Sequence, residues 1–207
     1  MNVSWRIQHK MKNNVKIYDL DIEYEIIHRK VKYPRLELKT DRLRLILPLG
    51  YNNHEKLLEK HKNWIYKRVS CIKSSMEETK NRQLDFGRTE DEFRALVQTY
   101  IERISQELDV SVKRVYFRKM TSRWGSCSSK KNININRYMQ YIPTELIEYV
   151  VFHEMAHLVE MGHNKRFKKI ISTRFTNHNE MERELLVYWL LIKENIPMYK
   201  KAQSVED

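Results

Sequence analysis

From Val15 to Pro48 apolar and polar residues alternate in short runs, as in VKIYDLDIEYEI, RLEL and LRLIL. That is the period of two required by strands with one buried face. Turns are expected near Tyr33–Pro34 and Thr40–Asp41, so the stretch predicts an N-terminal region of antiparallel strands. The period then changes. From Asn53 to Ser74, Leu57, Leu58, Trp64, Ile65 and Val69 recur at helical spacing, and the polar run SSMEETKNRQLDFGR reads as a linker. Thr89 followed by Glu92 has the spacing of a capping box. It opens a helix with Phe93, Leu96, Val97, Tyr100, Ile101 and Ile104 on one face. A strand near Lys113–Met120, the turn-prone TSRWGSCSSKKN and a second strand over Asn132–Asn136 follow.

The last third is helical. Pro143 suits a first helical turn, and ELIEYVVFHEMAHLVEM spreads apolar residues around most of its circumference, the mark of a buried central helix. Gly162 is expected to end it in a left-handed conformation. Asn164 is expected to cap a helix reaching about Arg174, and an amphipathic helix runs from about Asn179 to Asn195. The polar tail KKAQSVED is expected to fray. The pattern predicts an α+β protein with an N-terminal β region and linking helix over 1–85 and a second domain over 86–207.

Composition narrows the class. With 207 residues and 41% hydrophobic content, the chain can bury a core. No apolar run approaches the roughly 18 residues that cross a bilayer, and MNVSWRIQHKMKNN lacks the apolar core of a signal peptide. A cytoplasmic protein with no membrane partner is expected. Cys71 and Cys127 are too few for a disulfide framework and are expected to stay reduced. Lys and Arg number 39 against 27 Asp and Glu, a net +12. Eight basic residues and no acid lie between Val110 and Thr144, and five more, again with no acid, between Met161 and Asn179. Such blocks favour anionic partners, among them nucleotides and nucleic acid.

The chemistry concentrates in one segment, VVFHEMAHLVEMGHNKRF. His153 and His157 are four residues apart and share a helical face, with Glu154 turned aside. Each unpaired polar group in a buried helix would cost about 1 to 3 kcal/mol. A divalent cation removes that penalty, since two imidazoles ligate zinc and the carboxylate serves as general base, the logic of HExxH. His163 is the best candidate for a third ligand, completing HExxHxxxxxH; Glu160 is a weaker alternative on the same helix.

The pairing of MTSRWGSCSSKKNININ with YVVFHEMAHLVEMGHNKRF resembles the YgjP-like family of zincin-type metal-dependent hydrolases, related to the SprT-like and WLM metallopeptidase groups. The likeness extends from about Val15 to Phe175. It rests on a basic-Trp-Gly-Ser segment, here Arg123-Trp124-Gly125-Ser126, and on the histidine motif. Gly162 stands where the family has Asn, Asn164 where it has Ser, and Lys168 where it has Trp. The resemblance implies a zincin-like metallohydrolase core, an active-site helix packed on a small antiparallel sheet. It also implies zinc or another divalent transition metal on His153, His157 and His163, with Glu154 catalytic. By that likeness Arg123, Trp124 and Ser126 line the substrate cleft; read by themselves, Trp124 is a core anchor and Ser126 a turn residue. Cys127 is not needed as a nucleophile. The expected reaction is hydrolysis of a peptide or a phosphoanhydride bond, so the substrate is a peptide or an anionic molecule. The alternatives are nucleoside triphosphate pyrophosphatase activity, or a nucleic-acid-associated factor whose metal is structural.

Overall fold

Alternation along the N-terminal strands sends every second side chain to one face. There Ile17, Ile22, Tyr24, Leu43, Leu45 and Leu47 pack with Leu58 and Ile65 of the helix that follows. The computed structural model describes residues 11–39 and 42–196; the expected turn at Thr40–Asp41, the leading residues and the tail KKAQSVED lie outside them. The chain divides into two compact units, Met1–Ser74 and Ser75–Asp207.

In the first unit, β1 (Met11–Ile17), β2 (Leu20–Arg29), β3 (Arg35–Lys39) and β4 (Arg42–Pro48) form a sheet in the order β1-β2-β4-β3. It is mixed rather than wholly antiparallel, because β4 inserts beside β2 in parallel while β3 pairs with it antiparallel. The physical reason is burial. Leu43, Leu45, Ile46 and Leu47 are at most 1% exposed, and a central position both covers such a strand and pairs both its edges. Glu25 on β2, 3% exposed, is compensated by Arg44 at 3.1 Å and Arg42 at 3.7 Å. α1 (His54–Thr79) covers the apolar face and runs five residues past Ser74, since Met76, Glu77 and Glu78 are good helix formers.

In the second unit the segment after α1 is tied down. The Asp85 amide donates to the Tyr141 carbonyl at 2.9 Å, and Arg88 donates to the carbonyls of Gln140 and Ile142, each at 2.8 Å. Thr89 then caps α2 (Glu90–Leu108): its hydroxyl accepts from the Glu92 amide at 3.2 Å, and Glu92 accepts from the Thr89 amide at 2.8 Å. A second sheet holds β5 (Arg114–Arg118), β6 (Gly125–Cys127) and β7 (Asn132–Asn136) in the order β5-β7-β6. This sheet is also mixed, β5 lying parallel to β7 and β6 antiparallel to it. β6 lies within the stretch expected to be a turn, because three residues are too few to display a period and the strand exists only by pairing with β7.

A short 3-10 turn (Arg137–Tyr141) leads into α3 (Thr144–Ala156), followed by α4 (Lys165–Arg174) and α5 (His178–Asn195). Nine of the thirteen α3 residues are buried, in a core with Phe93, Val97 and Ile104 of α2 and Ile133 and Ile135 of β7. α3 ends at Ala156 with His157 as its cap, six residues before Gly162, and Gly50 is the only glycine of positive φ among the described residues. The left-handed stop expected at Gly162 is therefore not used. Turn hydrogen bonds from Leu158 to Met155 and from Val159 and Glu160 to Ala156 close the helix instead. Among the described residues no helix is long and apolar enough to cross a membrane.

Replacing Thr89 by Ala removes the hydroxyl that accepts from the Glu92 amide and leaves the backbone half of the capping box, the Thr89 amide donating to Glu92, in place. The expected loss is about 1 kcal/mol of stability, read as a lowered urea midpoint with an unchanged slope.

Candidate metal centre

α3 carries His153 one turn before its end and His157 at its cap, and the loop into α4 returns His163 to them. His153 Nε2 faces His163 Nε2 at 3.1 Å. One ligand atom from each of the three rings lies within 4.8 Å of the other two. His157 donates from Nδ1 to the Glu160 carbonyl at 3.2 Å, which fixes its tautomer and leaves Nε2 bare. The Glu160 carboxylate instead accepts from the Gly162 amide at 3.3 Å. Phe167, 3% exposed, backs all three imidazoles with ring centroids 4.5 to 5.0 Å away.

Burial, then the two neighbouring imidazoles, push His153 down to about 4; burial also lowers His157. Both rings are therefore neutral at physiological pH and have lone pairs to donate. At 3.1 Å the two Nε2 atoms can share one proton as an N–H···N hydrogen bond or, both deprotonated, turn their lone pairs on one cation. In a tetrahedral zinc site with bonds of about 2.0 to 2.1 Å, donor nitrogens lie roughly 3.3 Å apart. The 3.1 Å pair and the all-imidazole donor set fit such an ion.

Glu154 sits on the adjoining side of α3, 7% exposed, against β6. A Cβ on Gly125 would stand 2.6 Å from Glu154 Cγ, so only glycine lets the helix and strand approach this closely. The carboxylate accepts the Cys127 backbone N–H. Burial raises it to about 7, opposed by Arg123 and by that hydrogen bond. A carboxylate held near neutrality can take up and return a proton. Burial, then Glu154, pushes the Cys127 thiol up to about 11, leaving little thiolate at neutral pH.

Histidines and carboxylate open into a cleft of about 560 Å³ whose walls include Arg123, Trp124 and Ser126. Trp124 meets Trp189 edge to face at 4.8 Å and also packs on the core, so it serves core and cleft together. The Ser126 hydroxyl accepts from Asn134 Nδ2 at 3.0 Å. Of the thirteen basic residues in the two acid-free blocks, Arg123 alone lines the cleft. Arg137 is engaged by Glu90, and Arg174 by Glu107 and Glu148.

Four further residues shape the site without having been assigned a part in it from the sequence. Gly125 and Phe167 each had a visible signal, the first a glycine inside RWGS and the second the sole large apolar side chain between Gly162 and Lys169. Asn136 is fully buried and pins the cleft rim: Nδ2 donates to the Met120 and Arg123 carbonyls at 2.9 Å each, and Oδ1 accepts from the Met120 amide. Tyr149 lies one turn before His153 and donates to Glu182 at 3.4 Å across the cleft; burial, then Glu182, raises its hydroxyl so that it stays protonated. Neither Asn136 nor Tyr149 has any mark in the sequence.

Gly125→Ala is expected to lose about 1 to 3 kcal/mol through overpacking. In a Glu154→Ala background, which removes the opposing Cγ, most of that loss should vanish. Equal losses in both backgrounds, measured by urea unfolding, would show that the contact is not the cause.

Residues 87–188 match the family described as YgjP-like, metallopeptidase domain. The match does not extend over the N-terminal strands. No curated protein is significantly similar to the chain in sequence. Among solved structures the chain is similar to the metallopeptidase zymogen abylysin of Pyrococcus abyssi, with 20% identity and a TM-score of 0.41 over 44% of this chain and 91% of that one. It is also similar to the metallopeptidase zymogen jannalysin of Methanocaldococcus jannaschii, with 24% identity and a TM-score of 0.40 over 46% of this chain and 97% of that one. Residues 87–188, which the YgjP-like metallopeptidase-domain family model matches, hold the three histidines, Glu154 and the strand against it.

Proposed function

We propose that this chain is a zinc-dependent hydrolase that cleaves peptide bonds, with His153, His157 and His163 holding the metal. When bound, zinc supplies Lewis acidity at the cleft floor. Glu154 accepts the proton of the attacking water and returns it to the leaving group, a role suited to a carboxyl held near 7. Gly125 and the Cys127 amide keep that carboxylate against β6. Arg123, Trp124 and Ser126 meet the substrate along the wall. The reading places the enzyme in the cytoplasm, which its two free thiols support.

The observation that favours a peptide over a phosphoanhydride is the charge of the cleft lining. It contains one permanent cation, Arg123, together with two carboxyl groups, Glu154 and Glu182, and the apolar surfaces of Trp124, Val150, Met161 and Leu185. A nucleoside triphosphate carries several negative charges in a row and would meet, besides the metal, one guanidinium for two carboxyl groups. An uncharged peptide backbone flanked by side chains suits the same walls better.

Glu154→Gln is expected to reduce cleavage of an unfolded polypeptide at least about 100-fold, the usual contribution of a general base, while the protein keeps equimolar zinc. Release of pyrophosphate or phosphate from nucleoside triphosphates with no peptide cleavage would overturn the peptide reading. Unchanged turnover in Glu154→Gln would overturn the role of Glu154.

His157→Ala should remove zinc as measured by elemental analysis, because it deletes the most buried of the three rings. A chelator should abolish activity of the native chain, and added zinc should restore it. Equimolar zinc retained by the His157→Ala, His163→Ala double variant would place the metal elsewhere.

A further inference from the structure

The charge excess is not where the catalytic cleft is. Residues 1–74 hold 17 Lys and Arg against eight Asp and Glu, a net +9, while residues 75–207 hold 22 against 19, a net +3. The first unit therefore carries most of the +12 of the whole chain on about a third of its length. In the second unit many arginines are engaged: Arg82 by Glu184, Arg94 by Glu90, Arg103 and Arg174 by Glu148. On α1, Lys56, Lys60, Lys67 and Arg68 are exposed, and among the described residues no carboxylate pairs with them.

These four cations share one side of α1, at positions i, i+4, i+11 and i+12, and Trp64 at i+8 lies among them, 43% exposed. Leu58 and Ile65 on the opposite side are buried against the sheet. Glu55 and Glu59 flank the basic face rather than sit on it, and Glu59 is engaged by Lys62. A second exposed aromatic, Tyr33 at 67%, lies beside Lys32 in the turn that leaves β2, with Nζ 5.2 Å from the ring centroid. β2 and β4 are parallel, so that turn leaves the sheet at the end from which the chain enters α1.

We propose that this face of α1 binds single-stranded nucleic acid, its cations taking consecutive phosphates and Trp64 stacking on a base. Residues 56 to 68 span about 18 Å of helix, the length of about five phosphates at the stacked spacing of 3.4 Å per strand. An exposed indole between cations is the pairing that grips unpaired bases with little regard to their sequence. A duplex hides its base faces and offers Trp64 nothing to stack on. An anionic membrane would require an apolar helix face free to insert, and that of α1 is packed on the sheet. The inference does not rest on the hydrolase reading.

Fluorescence anisotropy with a labelled mixed-sequence oligonucleotide of about twenty nucleotides, as DNA and as RNA, tests this on the full chain between about 50 and 200 mM salt. The native chain and Glu154→Gln should bind equally. K56Q/K60Q/K67Q/R68Q, with circular dichroism matching the native chain, should bind at least tenfold more weakly. Its slope of log affinity against log salt should flatten by up to about 2.8, at about 0.7 per cation removed. Trp64→Ala should bind about fivefold or more weakly, and Trp64→Phe should retain most of the affinity. K130Q/K131Q in the second unit should bind as the native chain does. The proposal fails if the native chain does not bind the oligonucleotide, or if the quadruple variant binds as tightly as native. It also fails if K130Q/K131Q abolishes binding, or if duplex DNA, phosphatidylserine vesicles or polyglutamate bind as tightly as the single strand.

Discussion

The contact between Glu154 and Gly125 governs the architecture around the candidate centre. α3 is buried on nearly every side, and a carboxyl group on such a helix must be satisfied or neutralised. β6 satisfies it by coming so close that a Cβ at position 125 would overlap the side chain, and by donating the Cys127 amide. That approach depends on β7, whose central place between β5 and β6 holds the short strand in register. It depends also on Asn136 at the end of β7, which ties the Met120–Arg123 rim to the sheet. The wall of the cleft, the position of the Glu154 carboxyl and the packing of the central helix are thus one constraint.

The histidines obey a second constraint that follows from where α3 stops. A helix continued to Met161 would carry the chain about 7 Å further along the axis and away from His153. Ending at Ala156 turns the chain back, so that His163 reaches His153, and Asn164 at once caps α4, its side chain accepting from the Arg166 and Phe167 amides. The same cap sets Phe167 behind all three rings. Imidazoles held against an aromatic wall form a donor set with few rotameric alternatives, which favours metal binding by preorganisation.

The two units divide the electrostatics between them. The second balances its cations with nearly as many acids and presents a cleft with one arginine and two carboxyl groups. The first carries most of the net charge, part of it on a helix whose apolar side is already used. Basic residues counted along the chain near the HExxH motif pointed toward the cleft. In three dimensions Arg123 alone among them lines the cleft, while Arg137 is engaged by Glu90 and Arg174 by Glu107 and Glu148. Linear proximity misled because adjacent side chains on a strand or helix leave in different directions.

What the sequence alone determined is what local chemistry determines. The Thr89–Glu92 capping box, the bounds of β7, the buried character of α3, the Asn164 cap and the grouping of His153 with His157 were legible, because each depends on residues within a turn or two of one another. Tertiary structure decided the rest. The parallel pairings of β2 with β4 and of β5 with β7, the strand β6, the early end of α3, and the parts taken by Gly125, Asn136, Tyr149 and Phe167 arise from contacts between segments distant in the chain. A glycine that admits a carboxylate and a buried asparagine that pins a rim look like any other glycine and asparagine until the partner segment is in place, because packing and hydrogen bonding belong to the pair of surfaces and not to either one.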